Sequence, residues 1–180
     1  MEELEKLAKL IRAKNKIDDK IAEIIGRPSS IGNLGEYLAS KIFNIKLNQS
    51  ATKKCFDGYF TQKPLQGQTV NIKFYTKRNN TLDINLNCLS DPDYYIVITG
   101  PKTGSGSSRG TTEPFVITKV YLFNSQKLIH ELNNCRVKIG TATSVYSKLW
   151  EEAEIYPKKS NNIISLSKEQ VEQLRLFGEF

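Results

Sequence analysis

The apolar residues of this chain change period near Cys55, and that change narrows the fold class more than any other feature. From Glu2 to about Ile25, residues Leu4, Leu7, Leu10, Ile11, Ile17, Ile21, Ile24 and Ile25 recur at three- and four-residue steps. Such spacing predicts an amphipathic helix, with Asn15 and Asp18 as the points at which it would split in two. Arg27-Pro28 closes that segment, and Ser29 or Ser30 caps a second helix running to about Phe43, with Leu34, Leu38 and Ile42 inward and Glu36 among its residues. Between Cys55 and Tyr75 the pattern becomes alternation: Phe56, Gly58 and Phe60 on one side of a strand, then Val70, Ile72 and Phe74 on one side of the next. Pro64 and Gly67 break the chain between them. Paired as a hairpin about Pro64, with residue numbers summing to about 128, the two strands put Asp57 opposite Asn71 and diagonal to Lys73. All three then share one face.

Downstream, Thr76 to Asp93 fits either a strand or a short crossover helix. Tyr94-Tyr95-Ile96-Val97-Ile98-Thr99 is a continuous β-rich run stopped by Gly100-Pro101, as in a central strand covered on both faces, so the sheet is expected to be parallel or mixed. Residues 101–114 read as a loop rich in Gly, Ser and Thr. Its Gly104-Ser105-Gly106 is not followed by the Gly-Lys-Ser/Thr that a phosphate-binding Walker loop needs. A strand over 115–123 and helices near 125–132, 145–155 and 168–176 complete the chain, the last opened by a Ser167-x-x-Gln170 capping box. With 180 residues, room exists for one well-packed domain and not for two ordinary ones. The expectation is therefore a single α/β domain over 1–180, a mixed central β-sheet flanked by helices. Its core would span about 30–123, with helical additions at 1–26 and 124–180.

Several function classes drop out. No apolar run approaches the ~20 residues of a membrane span, and Met1-Glu2-Glu3-Leu4-Glu5 is an acidic start unlike a signal peptide, so a cytoplasmic protein is expected. Cys55, Cys88 and Cys135 are scattered, odd in number and without a C-x-x-C pair, which favours buried thiols over a disulfide framework or zinc knuckle. With His130 as the sole histidine and no G-x-S-x-G, triad hydrolases and His-rich metal sites lose their basis. Thr141, Thr143 and Ser144, ahead of a helix, offer either a phosphate seat or simple capping. Lysines and carboxylates are left to carry any chemistry.

Their distribution is uneven. Between Lys41 and Asn80, eight cations (Lys41, Lys46, Lys53, Lys54, Lys63, Lys73, Lys77 and Arg78) surround one carboxylate, Asp57. That excess equals the +7 of the whole chain, so the other residues balance. Such a segment suits a polyanion. An acid set within it suits a phosphodiesterase, in which a carboxylate holds a hard cation while lysines hold phosphate.

Glu36 on a helix, Asp57 on one strand and Asn71-Ile72-Lys73 on the next resemble the PD-(D/E)XK nuclease superfamily, over roughly residues 30–99. The resemblance implies a restriction-endonuclease-like αβββαβ core, in which a hairpin brings an acid and a (D/E)-x-K tripeptide to one metal site, often helped by a helix glutamate. Two positions depart from the pattern: Phe56 stands where proline is frequent, and Asn71 replaces the tripeptide's acid or glutamine, removing a metal charge. The resemblance further implies a Mg²⁺-dependent endonuclease, with Mn²⁺ as substitute, cutting double-stranded DNA in restriction or defence, a homodimer serving to cut both strands. In it Asp57, Glu36 and the Ile72 carbonyl would hold metal, Asn71 would lend an amide oxygen, and Lys73 would position the attacking water. Lys53, Lys54, Lys77 and Arg78, with Lys102 and Arg109 from the loop, would grip DNA. The alternative is a non-catalytic nucleic-acid-binding protein that keeps the nuclease-like fold.

Overall fold

The helical period of the N-terminus produces one unbroken helix, α1 (Glu2–Ile25), and not two. Asp18, an expected breaker, instead pairs with Lys14 one turn back, so its side chain is occupied on the surface and does not compete with the backbone. The computed structural model describes residues 2–48, 55–77, 79–85, 91–101 and 115–178. Gly26, at φ +69°, ends α1 in the left-handed conformation that suits glycine. Helix α2 (Ile31–Ile42) starts at Ser30, whose hydroxyl accepts from the Asn33 N–H, and buries Gly35, Leu38, Ala39 and Ile42.

Strands β1 (Ile45–Leu47), β2 (Gly58–Phe60) and β3 (Thr69–Tyr75) follow, then β4 (Thr81–Leu82), β5 (Tyr94–Thr99) and β6 (Lys119–Asn124). Helix α3 (Ser125–Asn134), strand β7 (Thr143–Ser144), helix α4 (Ser147–Ala153), strand β8 (Glu154–Tyr156) and helix α5 (Lys168–Arg175) complete the described chain. Six strands form one sheet in the order β1-β2-β3-β5-β6-β8. Among the described strands only β3 and β5 run parallel, so the sheet is mixed. The fold is α/β.

Strand alternation divides the interior in two. Val70 and Ile72 join Ile96, Ile98, Val120 and Leu122 beneath Leu38, Ala39 and Ile42 of α2 and Leu174 of α5. On the other face, Tyr95, Val97, Tyr121 and Phe123 pack with Leu128 and Leu132 of α3 and Trp150 of α4. The parallel pair is pinned at its start by Asp93, whose carboxylate accepts both the N–H and the hydroxyl of Thr69 at 2.7 Å. Ser167 and Gln170 form the expected capping box at α5.

Of the two readings open for Thr76–Asp93, the described residues show the strand: β4 pairs with β7 in a small antiparallel sheet. Three expectations need correction. The segment 145–155 is not helical throughout: α4 stops at Ala153 and the chain enters β8, so the C-terminal region adds a strand to the main sheet. Lys119 on β6 bonds the nearly buried Glu154 of β8 at 2.6 Å, an ion pair that suits a strand pairing there. Thr143 and Ser144 lie in β7 and α4 starts after Tyr146 with no side-chain cap, so these residues do not cap that helix, and neither reading offered for Thr141, Thr143 and Ser144 is met at its N-terminus. Finally, Cys55 is disulfide-bonded and Cys135 is exposed, so neither is the buried thiol expected; Cys88 lies outside the described residues. Among the described residues no helix is long and apolar enough to cross a membrane.

Candidate active site

The site begins where a strand leaves the sheet. β2 pairs with β3 only at Gly58↔Val70 and Tyr59↔Thr69, a register that sums to 128. Gly58 has no room for a Cβ against the Lys46 carbonyl, which fixes the close approach of β1 and β2 at this point. One residue earlier, Asp57 donates its N–H to the Val70 carbonyl at 2.9 Å. Its Oδ2 then accepts the Ile72 N–H at 2.6 Å, so the side chain continues the ladder that the backbone abandons. A strand residue directs its N–H and C=O to the same edge, so the Ile72 carbonyl faces the same opening. Burial pushes the Asp57 carboxyl up. The Ile72 N–H bond pulls the other way, Glu36 adds to the rise, and Lys73 and Arg27 oppose it; burial wins.

Asn71 supplies the second oxygen. Its amide nitrogen donates to the Cys55 carbonyl at 3.3 Å, the bond by which the amide orientation is assigned. Its Oδ1 is buried without a hydrogen-bond partner among the described residues. Leaving such an acceptor unsatisfied costs about 1–3 kcal/mol, and a water, another donor or a hard cation would each satisfy it. Asp57, the Ile72 carbonyl, Asn71 Oδ1 and Glu36 are all oxygen donors, a set suited to Mg²⁺ or Mn²⁺ and unsuited to a thiophilic metal. The residues present therefore fit the ion that the sequence implied, though with two carboxylates where the family pattern has three acidic positions.

Glu36 and Lys73 reach this edge from opposite faces. α2 covers the face of Val70, Ile72 and Phe74, and Gly35 lies so close that an added Cβ would stand 2.6 Å from the Phe74 Cβ. The close approach is to Phe74, whereas Gly32, three residues earlier on the same helix, has open space around it. Glu36 is thereby held above the stretch of β3 that Asp57 touches. Asn71 and Lys73 alternate to the face opposite α2, while Asp57 lies where β2 slips one residue out of register, its N–H on the Val70 carbonyl, and feels Glu36 more than Lys73. Because β2 has left the edge, both charges still act on Asp57.

One participant was missed by sequence reasoning. Arg27, between α1 and α2, bonds Glu36 Oε2 through Nη1 at 2.7 Å. A lone arginine before a proline carries no motif, and only the tertiary contact reveals it. The local charges are then two carboxylates and two cations. Lys77 lies two residues beyond β3. Lys53, Lys54, Arg78, Lys102 and Arg109 lie outside the described residues. Among the described residues, no group of three or more His, Cys, Asp or Glu side chains gathers to hold a metal. No protein-family model matches the chain and no curated protein matches it.

Proposed function

We propose that this chain is a Mg²⁺-dependent DNA endonuclease of the PD-(D/E)XK type, with a restriction-endonuclease-like core formed by α2, β1, β2, β3 and β5. The observation that carries the reading is the Asp57 carboxylate held on the Ile72 N–H at the edge of β3, beside Asn71 Oδ1, which has no hydrogen-bond partner among the described residues. Asp57, Asn71, the Ile72 carbonyl and Glu36 would hold the ion. When bound, a divalent cation polarises the scissile phosphate and acidifies a water. Lys73, whose charge acts on Asp57, would position the attacking water by hydrogen bonding and offset the negative charge that grows on the phosphate oxygens. Lys53, Lys54, Lys77, Arg78, Lys102 and Arg109 hold flanking phosphates of double-stranded DNA, which makes binding fall steeply with salt. A homodimer would present two such sites, one for each strand. The setting we propose is cytoplasmic restriction or defence; the Cys55 disulfide, uncommon in a reducing compartment, is the feature that pulls against it.

Supercoiled plasmid incubated with purified protein and Mg²⁺ or Mn²⁺ tests the reading. Nicking or linearisation by wild type, lost in D57A and K73A, is the expected result.

A second reading has its own observation. Glu36 is engaged by Arg27 and Asn71 brings no charge, so the edge holds one carboxylate not committed to an ion pair in this structure. A protein that binds nucleic acid without cutting it would keep the basic segment and tolerate that loss. Salt-dependent DNA binding with no cleavage under either metal would select it over the first.

A further inference from the structure

We propose that Arg27 is a positioning residue of this site that takes the cation's place in the metal-free protein, holding Glu36 until a divalent ion displaces it. The proposal rests on the metal-site reading above and concerns how that site is regulated.

Arg27 is built into position by the two helices it separates. Gly26 closes α1, donating its N–H to the Ala22 carbonyl at 2.8 Å. Pro28 accepts the Ser30 N–H at 2.8 Å and the Asn33 amide at 2.8 Å, which ties the connection to the start of α2. Ser30 then caps α2. Only the Arg27 side chain is left to choose its direction, and it reaches forward to Glu36, with Nη1 to Oε2 at 2.7 Å. The pair is partly exposed, at 39% for Arg27 and 26% for Glu36, so solvent, ions and a polyanion have access to it.

Its placement matters because of what lies beside Glu36. Gly35 packs onto Phe74, and Asp57 is bonded to Ile72, two residues back along the same strand. Two carboxylates thus approach one edge of β3 from a helix and from a departing strand. Without a cation they repel, and a guanidinium on one of them relieves the repulsion. The same guanidinium obstructs metal binding. A divalent ion seeking Asp57 and Glu36 meets a like charge already in contact with Glu36 and must displace it.

Displacement has a consequence for substrate. A released arginine at the rim of a phosphodiesterase site finds its best partner in a phosphate, which accepts the planar fork in bidentate fashion. Any phosphate that draws Arg27 away therefore strengthens metal binding, and by linkage the metal strengthens DNA binding by the same factor. Arg27 couples the two ligands, so that metal loading accompanies DNA.

The test is titration of the full chain with Mn²⁺ by calorimetry, without and with a short DNA duplex, for wild type, R27Q, R27K and D57N. R27Q is expected to bind Mn²⁺ about tenfold more tightly than wild type when DNA is absent, since a neighbouring positive charge is gone. It is also expected to lose most of the gain that DNA gives wild type. R27K, which keeps the charge but not the fork, is expected to fall between the two, and it serves as the readout should R27Q fail to fold. A helix-to-helix tie with no other role would lower thermal stability in R27Q and leave the Mn²⁺ affinity unchanged or weaker. That result, with D57N abolishing Mn²⁺ binding, overturns the role of Arg27 alone. Absence of Mn²⁺ binding in wild type, or binding that D57N does not weaken, overturns the metal-site reading as well.

Discussion

Asp57 Oδ2 accepts the Ile72 N–H at 2.6 Å, so a carboxylate completes a strand edge where a backbone carbonyl ordinarily would. The arrangement stabilises the ladder but holds a charge in a half-buried place, and burial raises the Asp57 carboxyl above its usual 3.8. A protein built this way trades stability for a poised acid.

Asp57→Asn should therefore stabilise the metal-free fold. The amide oxygen can still accept the Ile72 N–H while the desolvation cost of the charge disappears. The folded state binds its proton more tightly than the unfolded chain, so wild-type stability falls as pH rises from 3.8 through the raised folded value. Urea unfolding in the presence of chelator should show D57N more stable by about 1 kcal/mol near neutral pH. The gap should close on acidification as Asp57 takes up its proton. A variant less stable than wild type at neutral pH would contradict the balance of forces assigned to this carboxyl.

Asn71→Asp introduces an acid at the position where the PD-(D/E)XK pattern has one. Next to Asp57 the added charge is buried and repelled, so metal-free stability should drop by roughly 1–3 kcal/mol. Mn²⁺ should recover that loss, because the ion binds the folded state alone. Thermal unfolding with and without Mn²⁺ measures both effects, and the gain in melting temperature on adding Mn²⁺ should exceed that of wild type.

Gly35 and Gly32 lie on the same helix and should respond oppositely to alanine. At Gly35 the new Cβ would stand 2.6 Å from Phe74 Cβ and 3.2 Å from its Cγ, and the helix must lift from β3. Overpacking of this kind costs about 1–3 kcal/mol, and it displaces Glu36 from the edge. At Gly32 nothing lies within 4 Å, so alanine should gain up to about 1 kcal/mol from helix propensity. Denaturation of the two variants side by side distinguishes steric contact from a generic glycine effect.

Lys119→Met leaves Glu154, whose side chain is only 3% exposed, without its partner at 2.6 Å. Breaking such a pair from one side costs about 3–5 kcal/mol. The double variant with Glu154→Gln should recover a large part of it. Guanidinium unfolding of both, set against unchanged Mn²⁺ affinity, would place this pair in the β6–β8 joint and outside the site.

Much of this architecture was legible in the sequence because it rests on local signals. The turn residues Pro64 and Gly67 set the β2–β3 hairpin in the expected register at Gly58 and Tyr59, whereas the expected pairing of Asp57 with Asn71 is not made, since the Asp57 N–H bonds the Val70 carbonyl. Ser30 and Ser167 capped the helices they were expected to cap. The features that escaped are tertiary in origin. β8 is three residues long and comes directly after a helix, so a strand of that length leaves too few residues for its own period to show in the sequence. The disulfide at Cys55 and the reach of Arg27 to Glu36 join segments with no shared motif. Glu36 arrives from the opposite face to Lys73, which alternation alone does not reveal, because the departure of β2 from the edge is what lets both charges act on Asp57.

The central claim is that oxygen atoms of Asp57, Glu36, Asn71 and Ile72 bind one hard cation. Anomalous diffraction from a crystal soaked in Mn²⁺ tests it most directly. The account predicts a peak between the Asp57 carboxylate and Glu36, with Asn71 Oδ1 turned toward it and the Arg27 guanidinium moved off Glu36. Manganese bound only elsewhere, with Arg27 still on Glu36, would contradict it.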